Sequence, residues 1–383
     1  MKFLHLSDLH IGKSVNGVSM IDEQKHIFQQ ILHYIQSEQV NAVVIAGDIY
    51  DTSLPRTEAI RVFDDFLTDL AQKNVAVLIV AGNHDSPERI SYANRLLIDK
   101  QLFLCGSFAG SLQKVTFTDE HGEIKFWLLP FIKPLLAQNY FREHPIETYD
   151  DALTAVIKTT NIDYNTRNVF VSHQFFTKSG VEPIRSDSEQ NPVGGLDAIN
   201  TSIIEKFDYV ALGHLHGTQK VGVENIRYAG SPLKYSSSES HQTKSILLVE
   251  LKEKNSNIMT KTLILTPLHD MRKIKGKLET LISEQVSSLA NKEDYLHVVL
   301  TDEEELIDPM GKLRSVYPNV MSLDFENSRT KNKQSETYLS LEQTKQLSPF
   351  ELFCKFFHKS CGSEMSQEQE RIVRGLLETE ATE

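Results

Sequence analysis

The chain opens with an apolar run, Lys2–Leu6, that reads as a strand. In Gln24–Gln36, Ile27, Ile31, Leu32 and Ile35 recur at helical spacing. Ala42–Ala46 (AVVIA) is apolar at every position, the pattern of a strand covered on both faces. Thr57–Lys73 returns to helical spacing through Ile60, Phe63, Leu67 and Leu70, and Val75–Ala81 (VAVLIVA) is again a buried strand. Strand, helix, strand, helix, strand predicts βαβ units with largely parallel pairing.

Further along, Val115–Thr118 and Ile124–Leu129 flank Asp119-Glu120-His121-Gly122, a hairpin signal. Asn168–Ser172, Tyr209–Leu212, Ser245–Leu251 and Met259–Thr266 read as strands. Residues 1–266 are therefore expected to form one layered α/β domain, with two facing sheets flanked by helices. From about Leu268 the pattern changes. Met271–Lys275, Leu278–Leu289, Leu296–Thr301, Pro309–Tyr317 and Val320–Phe325 predict a small βαβαβ unit, an α+β domain over 267–326. Glu326–Gln346 is polar and rich in Lys, Ser, Gln and Asn, which predicts a linker, set at 327–347. A helical pair over 348–383 follows. Ser348-Pro349-Phe350-Glu351 combines capping-box spacing with Pro at the first helical position, and Phe350, Phe353, Cys354 and Phe357 share one face. Ser366 with Gln369 forms a second box ahead of Ile372, Val373, Leu376 and Leu377.

Composition narrows the class. With 383 residues, 40% of them hydrophobic, the chain can bury a large core. No apolar run approaches the roughly eighteen residues of a membrane helix. The apolar start is short and cut by Asp8 and His10, so no export signal is expected. Three cysteines (Cys105, Cys354 and Cys361) make no disulfide framework, and a reducing cytoplasm is the expected home. The net charge of −12 argues against gripping nucleic acid through a broad basic surface. It does not exclude a nuclease, because bound divalent cations offset carboxylates at the site.

The chemistry sits at strand ends. Asp8-Leu9-His10, Gly47-Asp48-Ile49-Tyr50-Asp51, Gly82-Asn83-His84-Asp85, Ser172-His173 and Gly213-His214-Leu215-His216 each follow a predicted strand. In open α/β sheets, ligands collect beyond the carboxyl ends of strands. Carboxylate, imidazole and amide oxygen suit manganese, iron or zinc, and no thiolate selects a softer metal. Taken singly each segment is weak: a lone Asp-x-His is more often a cap, and a lone His after a strand more often structural. Five in succession at strand ends point to one shared metal site.

In this order the five segments resemble the calcineurin-like metallophosphoesterases, whose pattern is D-x-H, G-D-x-x-D, G-N-H-D/E, an isolated H and G-H-x-H. Within them the chain is similar to the bacterial SbcD-type nuclease subunits. The resemblance is carried by Lys2–Lys13 (KFLHLSDLHIGK), by Arg227-Tyr228-Ala229-Gly230-Ser231-Pro232-Leu233 and by the tail from Ser348. It implies that Asp8, His10 and His216 hold one metal, that Asn83, His173 and His214 hold a second, and that Asp48 bridges them. It implies two divalent ions, most often Mn2+, with His84 protonating the leaving oxygen and Asp85 orienting His84. Asp51 stands where archaeal and eukaryotic relatives carry a histidine and is kept as a site residue of open role. The resemblance further implies cleavage of DNA ends and hairpins in repair, recombination and replication. It implies a homodimer, for whose surface the helices Thr57–Lys73 and Pro87–Ile98 are candidates, an SbcC-type ATPase partner on the C-terminal helices, and a 267–326 domain that caps and positions DNA. No Gly-x-x-x-x-Gly-Lys-Ser/Thr loop is present, so ATP hydrolysis belongs to a partner. Two other readings stand beside this one. One is a metallophosphoesterase of another substrate class, against which Asp51-Thr52-Ser53 in place of Asp-Arg-Gly counts for phosphoproteins. The other is a DNA-end scaffold with a structural metal.

Overall fold

The computed structural model describes residues 1–142, 145–178, 183–189, 198–327, 349–361, 365–366 and 368–373. Its first sheet runs in the order Met259–Ile264, Ser245–Glu250, Lys2–Leu6, Ala42–Ala46, Ala76–Val80, Leu102–Cys105. The last four strands are mutually parallel, as the βαβ pattern predicts. Ser245–Glu250 returns antiparallel along Lys2–Leu6. The second sheet runs Gln219–Val221, Val223–Tyr228, Tyr209–Gly213, Arg167–His173, Gly122–Leu129, Gln113–Asp119, ending in the expected hairpin.

The sheets face each other across an apolar layer in which Phe3, Val44, Leu78, Phe126, Val169, Val171, Ala211 and Leu247 are buried. Strands such as Ala42–Ala46 are covered on both faces, because Ile21–Ser37 and Thr57–Gln72 pack on the outer side of the first sheet. A second apolar layer with Tyr149–Thr159 covers the outer side of the second sheet. The architecture is therefore helix, sheet, sheet, helix, and the two sheets bring the carboxyl ends of their parallel strands to one edge.

His5 is a polar tie inside this apolar layer. Its ring bonds the Tyr209 hydroxyl at 3.1 Å and the Leu212 carbonyl at 3.1 Å, and burial pushes its pKa down to about 3. It is a neutral cross-sheet link rather than a ligand.

Three strands, Met271–Gly276, Tyr295–Leu300 and Val320–Phe325, form a small sheet with its own core of Leu278, Leu296, Val298 and Leu313. The first compact unit comprises Met1–Leu300 and Leu306–Asp324. Within it Glu23, buried on helix Ile21–Ser37, accepts from the Leu268 and His269 amides, the His269 ring and the Tyr295 hydroxyl. One carboxylate thus latches the start of the small sheet to the first helix.

Two helices differ from expectation. Pro87–Ile98 is not continuous: Pro87–Ile90 and Asn94–Leu97 are separate turns, divided where Ala93 is left-handed at φ 57°. Leu278–Leu289 is likewise two short helices, broken by the extended Ser283. The second unit comprises Thr301–Glu305 and Phe325–Glu383. In it helix Pro349–Cys361 exposes Leu352, Phe353 and Phe356. Ser366 and Gln369 exchange the two capping-box bonds, at 2.9 and 3.3 Å. The stretch 328–346, Ser348, Leu376 and Leu377 lie outside the described residues. Among those described, no helix is long and apolar enough to cross a membrane.

Candidate metal centre

Except for His173, the last residue of strand Arg167–His173, the expected ligands lie on loops just past their strands. Asp8 donates its amide to the Gly47 carbonyl and His10 donates its amide to the Asp48 carbonyl, both at 3.0 Å. Asp8, His10 and Asp48 are left-handed, at φ 52°, 44° and 50°. Non-glycine residues rarely adopt that conformation, and clusters of them mark sites where geometry is held against local strain. Gln24 and Tyr235 hold the first loop from behind: the Gln24 amide donates to the Leu9 and His10 carbonyls, and the Tyr235 hydroxyl to Leu9. Gly82 has no alternative, since a Cβ there would meet Asp48 Oδ1 at 2.1 Å. Gly47, at φ 91°, would drive one into the His173 ring at 2.3 Å.

The seven expected ligands converge. His173 Nε2 lies 3.0 Å from Asn83 Oδ1 and 3.3 Å from Asp48 Oδ2, and His214 Nδ1 lies 3.1 Å from the same Asn83 oxygen. On the other side His10 Nε2 and His216 Nε2 are 3.1 Å apart, and His10 Nε2 is 3.7 Å from Asp48 Oδ2. Asp8 completes both groups: with His10 and His216 on one side and with Asp48 and His173 on the other, its carboxylate makes a metal-sized cluster. Asp8 also accepts the His214 amide at 3.1 Å. Asp8, His10, Asp48, His173 and His216 are buried, whereas Asn83, His84 and His214 are half-buried.

Electrostatics fits a cation held here. Burial raises the Asp8 pKa, with the histidines opposing. Burial also presses on Asp48, but the neighbouring histidines, His173 first, outweigh it and hold Asp48 below the carboxylate range. His173 is pushed up to about 9, because Asp48 and Asp8 outweigh burial. Burial holds His10 well below its ordinary value and lowers His214 to about 3, leaving neutral rings with lone pairs free to coordinate. Two ring nitrogens 3.1 Å apart can face each other only around a shared proton or a metal ion. The donor set of carboxylates, imidazoles and one amide therefore fits two divalent ions.

Four residues do work the motifs did not foretell. Asp85 does not orient the His84 ring. Its carboxylate accepts from the Ile49, Tyr50 and Gly82 amides at 3.1, 3.0 and 2.9 Å, clamping two ligand loops together. Burial and Asp48 push it up to about 6. The ring of His84 donates Nδ1–H to the Asp51 carbonyl at 2.8 Å instead, with Nε2 3.9 Å from Asp48 Oδ2. Asp51 thus contributes its main chain, while its carboxylate pairs with Lys13 at 2.7 Å and lies 3.6 Å from His10 Nδ1. Glu189 and Glu239 reach His216 from behind. Their only sequence signal is an isolated carboxylate in a polar loop.

Residues 1–218 match the calcineurin-like phosphoesterase family, a span that takes in all five strand-end segments through His216. The chain belongs to the calcineurin-like phosphoesterases. Residues 267–360 match the Type 5 capsule protein repressor C-terminal domain, the SbcD C-terminal family. The D subunit of the nuclease SbcCD from Staphylococcus epidermidis is 32% identical over 98% of this chain and 98% of its own. Its counterpart in Staphylococcus saprophyticus is 31% identical over 99% of each chain. Among solved structures, a dimetal phosphatase from Danio rerio aligns with 70% of this chain and 97% of its own, at 14% identity and a TM-score of 0.43.

Proposed function

We propose that the chain is the nuclease subunit of an SbcCD-type complex, hydrolysing phosphodiester bonds at DNA ends and hairpins with manganese as the working ion. The reading rests on one observation above the others. The half-buried His84 ring, with Nδ1 on the Asp51 carbonyl and Nε2 3.9 Å from Asp48 Oδ2, stands beside a converged seven-ligand nest.

In this reading Asp8, His10 and His216 hold one ion, Asn83, His173 and His214 the other, and Asp48 bridges. Two divalent ions bound there would supply Lewis acidity, activating water and neutralising phosphoryl charge for in-line displacement. The chain does the rest. Asp85 and the left-handed loops keep the ligands at fixed separation, which holds the reacting phosphate in one orientation. The Asp51 carbonyl fixes Nδ1 of His84 as a donor and turns Nε2 to the site; in its doubly protonated form the ring would give the Nε2 proton to the leaving oxygen and regain one from solvent. General acid catalysis of this kind contributes on the order of 10²–10⁴-fold.

Residues 1–266 carry catalysis and 267–326 cap the site against DNA. The exposed Leu352, Phe353 and Phe356 of Pro349–Cys361 dock on the base of an SbcC-type ATPase coiled coil. The protein works in the cytoplasm as a homodimer. The test is hydrolysis of linear and hairpin DNA with manganese, with and without the ATPase, beside His84→Ala. Cleavage that needs manganese and His84 is expected. Intact DNA under every condition, with a phosphopeptide or cyclic nucleotide turned over instead, overturns the nuclease reading. Intact DNA that stays bound favours a scaffold.

A further inference from the structure

The two halves of the centre are braced by different chemistry. On the His173 side, the ring nitrogen turned away from the ligands meets a backbone acceptor, Ala46 O, at 2.7 Å. On the His216 side it meets side chains. His216 Nδ1 lies 2.8 Å from Ser188 Oγ and 3.2 Å from Glu239 Oε1. Ser188 Oγ in turn donates to Glu239 Oε1 at 2.5 Å. A hydroxyl has one proton, and Ser188 gives it to the carboxylate. Its oxygen can then only accept from His216, so the hydrogen of that ring sits on Nδ1 and the lone pair on Nε2, the atom facing His10.

Glu239 is 0% exposed, and a carboxylate so buried needs a partner. Lys244 Nζ, itself 5% exposed, donates to Glu239 Oε2 at 2.6 Å. The same ammonium reaches the His216 carbonyl at 2.9 Å, Ser231 Oγ at 2.9 Å and Gln242 Oε1 at 2.8 Å. Four acceptors around three protons leave it nothing to offer a substrate. The remaining polar group of His216, its amide, donates to Glu189 Oε1 at 2.7 Å. Amide, carbonyl and outer ring nitrogen of a single histidine are therefore held by three charged side chains.

We infer that Glu239, clamped by Lys244, is the positioning residue that presets the tautomer and orientation of His216, so that the ion held by Asp8, His10 and His216 depends on a buried charge pair from which the Asn83–His173–His214 ion is independent. This rests on the metal assignment proposed above. Outer partners of ligating histidines fix the ring and raise its basicity, and their loss weakens metal affinity by on the order of 10–100-fold. Backbone bracing at His173 leaves the other ion outside the reach of this pair.

The test compares wild type with Glu239→Gln and with the double variant Glu239→Leu/Lys244→Met, in which no buried charge is left alone. Metal-free protein of each kind is titrated with Mn2+ by calorimetry and followed by electron paramagnetic resonance, with circular dichroism confirming the fold. Wild type is expected to take up two ions and to develop the spectrum of an exchange-coupled pair. Both variants are expected to keep one ion at wild-type affinity, to bind the second on the order of 10–100-fold more weakly, and to show an isolated-ion spectrum at one equivalent. If the Gln variant loses its fold, the double variant carries the comparison. Two ions at unchanged affinities with a coupled spectrum in the folded double variant overturns the inference and leaves the metal assignment standing. Fewer than two ions in wild type overturns the assignment beneath it.

Discussion

The layer between the two sheets and the nest at its edge are equally buried and opposite in kind. Phe3, Val44, Phe126, Val169 and Leu247 in the layer are fully sheltered, and so are Asp8, His10, Asp48, His173 and His216 in the nest. In the layer, burial is the driving force, at roughly 25 cal/mol per Å² of apolar surface. In the nest the same burial works against the fold, because desolvated carboxylates and rings raise or lower one another's pKa and sit on left-handed backbone. The difference assigns roles: the layer stabilises, and the nest is held in place by it, ready for cations that reverse its penalty. Apolar substitutions should therefore change stability without changing metal chemistry, and nest substitutions the reverse.

The largest effect that would break this division is at Asp48, where both halves meet. Asp48→Asn is expected to remove several kcal/mol of transition-state stabilisation, a rate loss on the order of 10³-fold or more, while urea unfolding of the metal-free protein changes little by comparison. Steady-state hydrolysis of a phosphodiester and an unfolding curve decide it together. A variant that keeps its rate but unfolds early would place Asp48 with the scaffold.

Phe126→Ala sharpens the other side. The ring packs edge-on to Phe3 at 5.4 Å and Phe117 at 5.7 Å, with no exposure. Its loss is expected to destabilise by about 3–5 kcal/mol, with manganese affinity within about threefold of wild type as separate sites imply. A tenfold fall in affinity would mean that the layer tunes the nest directly.

The smallest effect lies at the end of the layer remote from the ligands in sequence. Asp119 accepts from buried Arg167 at 2.5 and 3.0 Å and from the Met1 ammonium at 2.8 Å. The Arg167 bonds hold its pKa well below the usual carboxylate range. A depressed folded-state pKa contributes stability that is present at neutral pH and lost as pH falls below about 4 toward the folded value. Asp119→Asn is expected to cost about 2 kcal/mol at pH 7 and to flatten the acid limb of stability against pH. An unchanged acid limb would show that other carboxylates carry it.

Much of the layer is legible in the sequence because its pattern is local. Ala42–Ala46 can be read residue for residue from AVVIA, and the parallel pairing from the alternation around it. Leu102–Cys105 escapes such a reading, being four residues with no alternation, and Val223–Tyr228 is hidden because Glu224, Asn225 and Arg227 interrupt its apolar pattern. Helix Tyr149–Thr159 carries a true capping box, Thr148 with Asp151, that apolar spacing alone does not reveal. In the nest the ligands are legible because each follows a strand. Their supports are not: Gln24, Glu189, Tyr235, Glu239 and Lys244 act across many residues of chain, and nothing in their own neighbourhoods marks them. The role that the resemblance implies for Asp85 differs from its bonds for the same reason: its carboxylate accepts from the Ile49, Tyr50 and Gly82 amides, while the His84 ring bonds the Asp51 carbonyl.

The central claim is that the nest is built for two cations that relieve it. Thermal unfolding of metal-free protein against protein in Mn2+ tests this directly. At manganese about 100 times the dissociation constant, each occupied site adds about 2.7 kcal/mol, so the melting temperature should rise clearly in wild type and much less in Asp48→Asn. A melting temperature that manganese leaves unchanged in wild type would contradict the account.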